Sequence, residues 1–346
     1  MMAAPVKAPN TNATQSASNV QNLTIGKALN AGLRAAMEAD DKVIVLGEDV
    51  GKLGGVFRIT DGLQKDFGEH RVLDTPLAES GIIGTAVGLA VRGFRPVCEI
   101  QFDGFVFPAF DQIVSQLAKL HYRTQGGLKV PVVVRIPFGG GIGSVEHHSE
   151  SPESLFAHTA GLKVVACSNP VDAYWMIQQA IRCDDPVVFF EPKRFYHSGA
   201  LKAPVDPSAT PDPLFASRVV RQGTAATLVT YGPSVRVCLD AAEAAAEEGT
   251  ELEVIDLRAL SPLDLGPVFE SVRRTGRLIA VSEAPPEASI TSEIAARVQQ
   301  ECFYSLEAPV LRVTGFDTPY PPAKAEEHFL PDLDRVLHAV DRALDW

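Results

Sequence analysis

Short, almost uninterrupted apolar runs alternate with amphipathic stretches along most of this sequence. In the first half these runs lie at residues 43–46, 97–100, 130–136, 164–166 and 187–190. Strands that are apolar at nearly every position are typical of sheets buried on both faces. The stretch at residues 110–120 has apolar side chains at helical spacing, and Asn169 and Pro170 open another helix that runs to Ile181. The alternation predicts an α/β fold with a mostly parallel sheet.

A segment without strand or helix periodicity divides the chain. Residues 201–217 are rich in Pro, Asp, Ser and Ala, as a linker is, and a second alternation follows with apolar runs at 227–230, 252–255, 278–281 and 310–313. A chain of 346 residues is long enough for two cores. We therefore expect two doubly wound domains, at residues 23–200 and 218–346. Residues 1–22, rich in Ala, Asn, Thr, Gln and Ser, are expected to form a disordered tail.

Charge and cysteine content narrow the class of protein. A formal net charge of −12 does not favour binding to nucleic acid or to an anionic membrane surface. The five cysteines are scattered, with no Cys-x-x-Cys pair, which favours neither a disulfide framework nor a zinc site. No apolar run approaches the roughly 20 residues of a membrane span, and the first residues lack the pattern of a secretory or mitochondrial leader. We expect a cytoplasmic protein.

One acid is unusual in its surroundings. Glu79 lies between a proline turn and the small, apolar run of residues 81–90, with no Lys or Arg for several positions on either side. A carboxylate buried there needs a strong hydrogen-bond partner, or its pKa rises, and both outcomes suit a catalytic acid. The alternative is an ordinary acid at a helix N-terminus, stabilised by the amides of the first turn.

Two further segments lie where ligands of open α/β sheets usually bind, at the carboxyl ends of predicted strands. Glu48 follows the strand at residues 43–46, and its carboxylate could instead satisfy loop amides. Residues 101–105 follow the strand at 97–100 and offer an amide, Gln101, and two aromatic rings, Phe102 and Phe105, to a flat ligand. Packing of the phenylalanines in the core is the competing interpretation.

A glycine-rich run at residues 139–143 leads into His147 and His148. It lacks the third glycine of a dinucleotide fingerprint and the lysine of a P-loop, so we expect a loop over a cleft rather than a nucleotide site. The rings of adjacent histidines should diverge, which makes a shared metal improbable. Either histidine suits proton donation or substrate orientation, and the alternative is a surface or hydrogen-bonded loop histidine.

Taken in order, several runs identify a family. They are GEDV at 47–50, GGVFR at 54–58, DTPLAESGI at 74–82, RPVCEIQF at 95–102, PAFDQI at 108–113, HSESPE at 148–153, FFEPK at 189–193, EVIDLR at 253–258 and GFDTP at 315–319. The chain resembles the beta subunit of the decarboxylating component of thiamine-diphosphate-dependent 2-oxoacid dehydrogenase complexes, over essentially everything after Leu23. The IQF, HSESP and FFEPK runs look most like the branched-chain (2-oxoisovalerate) type, with pyruvate dehydrogenase as the alternative.

The resemblance implies a fold, an activity and partners. The N-terminal domain would be a pyrimidine-binding domain and the C-terminal domain transketolase-like. The expected reaction is oxidative decarboxylation of a 2-oxo acid with transfer of the acyl group to lipoamide. An alpha subunit would complete an alpha-two-beta-two assembly, and a lipoyl-bearing dihydrolipoamide acyltransferase core would bind it. A non-catalytic scaffold that retains the fold is the alternative from another class.

The resemblance also implies roles for residues of the first domain. Glu79 matches the family glutamate whose carboxyl group hydrogen-bonds to N1′ of the aminopyrimidine and promotes its reactive tautomer. Leu77, Gln101 and Phe105 match residues that line the pyrimidine site, and Glu48 matches a supporting acid. Some relatives have tyrosine at the position of Phe105, so any role of a hydroxyl group there is lost.

His148 matches the histidine that orients the acyl group or passes it to lipoamide. Glu150 stands where the family commonly has glutamine, and a carboxylate in contact with His148 would raise the pKa of the imidazole. The sequence has no Gly-Asp-Gly run, which in this family holds Mg²⁺ and diphosphate, so we expect the alpha subunit to supply both. The resemblance further implies a monovalent cation, K⁺, bound by carbonyl groups at Val130, Val132, Val133, Ala180, Cys183 and Asp185.

Overall fold

The computed structural model describes residues 20–346, which contain fourteen strands and eleven α-helices. The strands are β1 Gln21–Leu23, β2 Val43–Gly47, β3 Val72–Asp74, β4 Arg95–Glu99, β5 Val133–Phe138, β6 Lys163–Ala166, β7 Val187–Pro192, β8 Ala203–Val205, β9 Arg218–Arg221, β10 Ala226–Thr230, β11 Leu252–Asp256, β12 Ala259–Ser261, β13 Leu278–Val281 and β14 Leu311–Val313. The helices are α1 Ile25–Ala39, α2 Leu63–Phe67, α3 Glu79–Val91, α4 Leu120–Arg123, α5 Glu153–Ala157, α6 Pro170–Arg182, α7 Ser234–Glu247, α8 Gly266–Thr275, α9 Ile290–Cys302, α10 Glu326–Phe329 and α11 Leu333–Leu344.

The first half of the chain forms a seven-stranded sheet in the order β12-β6-β7-β5-β4-β2-β3. All neighbours pair in parallel except β12, which is antiparallel to β6. Helices α1 and α6 pack together on one face, and α3 covers the other with the segment that follows β4. The expectation of a mostly parallel sheet buried on both faces is confirmed.

The second half forms a five-stranded sheet in the order β14-β13-β10-β11-β9, with only β9 antiparallel. Helices α7 and α11 pack on one face, and α8 and α9 on the other. The chain therefore has two doubly wound α/β sheets with helices on both faces, as the sequence predicts.

The two halves are joined more closely than their sequences indicate. Strand β12 comes from the second half but extends the sheet of the first, and one apolar core continues from α3 through to α8 and α9. The predicted linker at 201–217 also contains β8, which pairs with β1. Gln21 and Asn22 are therefore in a strand, not in a disordered tail; residues 1–19 of that predicted tail lie outside the described residues. Three-residue strands carry too little pattern to be read from sequence.

The helix expected at residues 110–120 is broken into different pieces. A 3-10 helix covers Asp103–Ala109, a π-helical segment covers Gln112–Leu117, and α4 follows. Pro108, which has no amide hydrogen to donate, lies inside the first piece. No helix within residues 20–346 is long and apolar enough to cross a membrane.

Candidate active site

Three loops converge at the carboxyl edge of the first sheet, because β2 lies between β3 and β4. Gly47, the last residue of β2, is in register with both Asp74 and Glu99, the last residues of its neighbours. Glu48 directly follows β2, Gln101 follows β4, and the loop after β3 leads into α3. The predicted positions of Glu48 and Gln101 at the carboxyl ends of strands are confirmed, and such an edge is where open α/β sheets bind ligands.

Glu79 is the first residue of α3 and is buried, with 8% of its surface exposed. The amides of the first helical turn give a carboxylate at this position a favourable electrostatic environment. Leu77, two residues earlier, is 81% exposed. A buried acid and an exposed apolar side chain are thus two residues apart at the start of α3.

Glu48 is buried with no partner for its charge. Its residue is 6% exposed, and neither carboxylate oxygen has a hydrogen-bond partner within the part of the chain described. Burial raises the pKa of Glu48 above its ordinary value, and the negative charges of Glu79 and Asp49 raise it further. A buried carboxyl group without a partner is costly, and a ligand that offers a hydrogen bond would remove that cost.

Gln101, Phe102 and Phe105 follow β4 at the same edge, and we call this group the aromatic floor. The amide nitrogen Nε2 of Gln101 donates to the carbonyl oxygen of Glu48 at 3.4 Å and to Oδ2 of Asp49 at 3.3 Å. Phe102 and Phe105 are half-buried, with ring centroids 5.8 Å apart in an edge-to-face arrangement. Phe105 packs against the core and is partly exposed, and its contact with a ligand stays a prediction.

His148 faces the same aromatic floor. Its ring centroid lies 4.0 Å from that of Phe102 and 5.1 Å from that of Phe105, and its Nδ1 atom is buried without a partner among the described residues. Burial lowers the pKa of His148, and the positive charges of His147 and Lys193 lower it further. The imidazole is therefore held in its neutral form, ready to accept or donate one hydrogen bond.

Two expectations about this segment were wrong. The rings of His147 and His148 do not diverge, since their centroids are 4.4 Å apart at 69°. The pKa of His148 is lowered rather than raised, and the acid that opposes this shift is Glu146, whereas Glu150 does not contribute. Residues 20–346 contain no group of three or more His, Cys, Asp or Glu side chains that could hold a metal ion.

The glycine-rich run is anchored to the second half of the chain. The amide of Gly140 donates to Oε2 of Glu283 at 3.1 Å, that of Gly141 to the hydroxyl of Tyr320 at 3.3 Å, and that of Gly143 to Oε2 of Glu326 at 3.2 Å. Two carboxylates and a hydroxyl group thus accept from the amides that a phosphate would need. We call residues 139–150 the histidine loop.

Sequence reasoning missed a buried ion pair below this loop. Lys193 and Asp103 are both buried and bond to each other, and Asp103 also accepts the amide of Glu150 at 2.5 Å. The sequence carries one signal of this pair: Lys193 directly follows a strand that is apolar at most positions. A lysine that is buried at such a strand end needs an acidic partner, but the sequence does not indicate which acid.

The candidate cation residues lie on two segments that meet. The amide of Val130 donates to the carbonyl oxygen of Asp184 at 3.1 Å, which joins the approach to β5 with the loop after α6. The guanidinium of Arg95 donates to the carbonyl oxygen of Cys183 at 3.2 Å, so one of the predicted carbonyls already has a cationic partner. Binding of K⁺ here stays a prediction.

A cavity of about 310 Å³ lies between the histidine loop and the second half of the chain. Its lining includes Glu150, Leu155, Glu283, Tyr320 and Phe329, but neither Glu48 nor Glu79. The sheet edge that carries the two acids is therefore a different part of the molecule from this cavity. We call it the open edge, because Leu77 is exposed there while Glu48 and Glu79 are buried.

Comparison with known proteins is consistent across sequence and structure. The profile described as "Transketolase, pyrimidine binding domain" matches residues 21–198, and "Transketolase, C-terminal domain" matches residues 216–336. At 21% identity and a TM-score of 0.75, the fold is similar to that of a solved chain titled "Split gene transketolase, inactive beta4 tetramer", over 94% of this chain and 99% of that one.

Curated relatives match over nearly their whole length. The chain is 63% identical to "Pyruvate dehydrogenase E1 component subunit beta" of Leifsonia xyli, over 94% of this chain and 96% of the relative. It is 54% identical to "3-methyl-2-oxobutanoate dehydrogenase subunit beta" of Mycobacterium tuberculosis, over 94% and 92%. It is 46% identical to "2-oxoisovalerate dehydrogenase subunit beta" of Pseudomonas aeruginosa, over 96% and 97%. Both substrate types are thus represented among similar proteins.

Proposed function

Because the chain belongs to the family of beta subunits of 2-oxoacid dehydrogenases, we propose that it forms half of the active site of the decarboxylating component and functions only with an alpha subunit. The observation that carries this proposal is the edge at Glu48 and Glu79, two buried acids, of which Glu48 has no hydrogen-bond partner for either carboxylate oxygen in the described chain. A complete site would enclose such groups, since catalysis of this kind depends on excluding water.

The residues at this edge fit the aminopyrimidine of thiamine diphosphate. Glu48 has two carboxylate oxygens that no residue of the described chain satisfies, and Glu79 is held at the start of α3. Phe105 offers an aromatic surface and Gln101 an amide, while Leu77 would pack against a ligand from above. When bound, the cofactor would supply the electron sink for decarboxylation.

In this proposal Glu79 provides the hydrogen bond to N1′ of the pyrimidine ring, and burial keeps water from competing for it. Glu48, whose pKa is raised, holds a proton more readily than an exposed glutamate and supports its neighbour. His148 is neutral and lies on the aromatic floor, where its imidazole would orient the acyl group or its transfer to lipoamide.

The surface of α3 supports dependence on a second chain. Gly81 and Gly88 are exposed on this helix and Gly84 is half-buried, at i, i+3 and i+7 spacing. A Cβ atom on Gly88 would meet no atom of the described chain within 4 Å, so nothing there requires glycine. Glycine inside a helix costs about 1 kcal/mol relative to alanine. Close approach of another polypeptide, the alpha subunit of an alpha-two-beta-two assembly, explains the cost.

The partner would also supply what this sequence lacks. With no Gly-Asp-Gly run in the chain, we assign Mg²⁺ and the diphosphate group to the alpha subunit. The lipoyl-bearing acyltransferase core is the proposed acceptor of the acyl group. A bound K⁺ near the approach to β5 would be structural, because that site lies on the segments joined by Val130 and Asp184 rather than at the acidic edge.

We propose 2-oxo acids derived from branched-chain amino acids as substrates, on the basis of the IQF, HSESP and FFEPK runs. Pyruvate is the second candidate, because the relative with 63% identity is a pyruvate dehydrogenase subunit. The test is reconstitution with the matching alpha subunit, Mg²⁺ and thiamine diphosphate, followed by comparison of kcat/KM for 3-methyl-2-oxobutanoate and pyruvate. Preference for the branched substrate supports the proposal, preference for pyruvate replaces it with the second candidate, and no turnover of either contradicts both.

A further inference from the structure

The histidine loop packs against residues 101–105 so closely that only glycine fits at position 104. A Cβ atom on Gly104 would lie 2.5 Å from the carbonyl oxygen of His147 and 2.8 Å from its Cα. On both sides of this contact, Phe102 and Phe105 hold the ring of His148. The ring of His148 therefore packs on residues 101–105, which we call the seat.

Asp103, in the middle of this seat, ties down the end of the loop. The residue is fully buried, and its Oδ2 accepts the amide of Glu150, two residues after His148. Its Oδ1 accepts from the ammonium group of Lys193, which comes from the turn after β7 and is 3% exposed. One carboxylate thus connects the histidine loop, the seat and the residue that directly follows β7.

Stability alone does not account for this pair. Burial raises the pKa of Asp103 to about 6 despite the adjacent ammonium, and burial lowers the pKa of Lys193 despite the adjacent carboxylate. Both shifts show that removing the two charges from water opposes ionisation. Apolar residues of similar size often replace such pairs without loss of stability. A role in geometry is the better explanation of why an ion pair occupies this place.

We propose that Asp103 is a positioning residue for His148: by accepting the amide of Glu150, it sets the end of the histidine loop and thereby the place of the imidazole on the aromatic floor. Lys193 keeps the carboxylate in place. This inference rests on the proposed function for its effect on acyl transfer, but its structural part concerns only the loop and its seat.

The test compares two double variants in the assembled alpha–beta enzyme. Asp103→Asn with Lys193→Met removes both charges but keeps an oxygen that can accept the amide of Glu150. Asp103→Leu with Lys193→Met removes both charges and the acceptor, while leucine keeps the number and branching of the side-chain heavy atoms. Thermal unfolding checks that both fold. Three quantities are then measured: hydrogen–deuterium exchange of the loop peptide, dye-linked decarboxylation, and reductive acylation of a lipoyl domain.

The Leu variant should exchange the amides near Glu150 faster and lose roughly tenfold to a hundredfold in reductive acylation, since a displacement of about 1 Å can cost that much. Its dye-linked decarboxylation should fall less. The Asn variant should remain near wild type in all three. Equal behaviour of the two variants, whether both active or both impaired, would overturn the proposal. If the wild-type assembly decarboxylates no 2-oxo acid, the proposed function fails, while the exchange comparison still decides the positioning role.

Discussion

Two acid clusters in the same sheet have opposite arrangements. Around Arg135, every charged group has a hydrogen-bond partner: its guanidinium donates to Glu99 at 2.7 Å and to both oxygens of Glu191 at 2.7 and 2.8 Å, and Tyr196 donates to Glu191. At the edge, Glu48 is equally buried but has no partner for either oxygen in the described chain. The first cluster is complete within this chain, whereas in the second the oxygens of Glu48 have no partner among the described residues.

This difference separates a structural group from a functional one more clearly than burial does. Glu48, Glu79, Glu99 and Glu191 are all buried, so exposure alone would place them together. Hydrogen-bond partners distinguish Glu48 from Glu99 and Glu191, because native structures rarely leave buried carboxyl oxygens unsatisfied without a reason.

The largest effect is expected at the open edge. Glu79→Gln removes the carboxyl group proposed to act on the pyrimidine ring, so kcat of the assembled enzyme should fall by roughly 10²–10⁴-fold. Circular dichroism and assembly with the alpha subunit should not change. The matched control is Glu38→Gln, at an exposed acid of α1, which should keep full activity. An active Glu79→Gln enzyme would favour the scaffold alternative.

At the matched cluster the effect should be on stability. Arg135→Met leaves two buried carboxylates without their cation, and the free energy of unfolding should fall by about 3–5 kcal/mol. Urea unfolding of the isolated chain measures this. Arg274→Met provides the comparison, because Arg274 is half-exposed and pairs with a single buried acid, Glu253, so the loss should be smaller. Similar losses for the two variants would mean that the Arg135 cluster is not special.

Glu48→Gln and Glu99→Gln should have opposite effects on stability in the isolated chain. Glu99 has a partner, so its replacement should destabilise by about 1–3 kcal/mol, whereas replacing the unpartnered Glu48 should leave stability unchanged or raise it. Burial raises the pKa of Glu48 in the folded state, so this residue favours folding increasingly as the pH falls. The advantage of Glu48→Gln over wild type should therefore be larger at pH 7 than at pH 5. Destabilisation by Glu48→Gln would contradict the view that its partner lies outside this chain.

The smallest effect is expected on α3. Gly88→Ala should stabilise the isolated chain by about 0.5–1 kcal/mol, because alanine is the better helix former and no atom of the described chain obstructs it. The same change should weaken assembly with the alpha subunit, because a methyl group would then stand in the interface. Thermal unfolding and sedimentation measure the two effects. Stabilisation without any change in assembly would remove α3 from the interface.

The sequence predicted the buried parallel strands well, but it did not predict the contacts between distant parts of the chain. The predicted runs at 227–230 and 278–281 match β10 and β13 to within a residue, since buried parallel strands are apolar throughout. Strand β12 was missed, because its pairing with β6 depends on where the second half docks. The positions of Glu48 and Gln101 at strand ends could be read from the apolar runs before them, whereas the Asp103–Lys193 pair depends on side-chain contacts across 90 residues.

The central claim is that this chain carries half of a cofactor site. Calorimetric titration of thiamine diphosphate with Mg²⁺ into the isolated chain, into the alpha subunit and into their mixture tests it most directly. We expect tight binding and decarboxylation only in the mixture, with binding by the isolated chain weak and without turnover. Equally tight binding and robust turnover by the isolated chain would contradict the account.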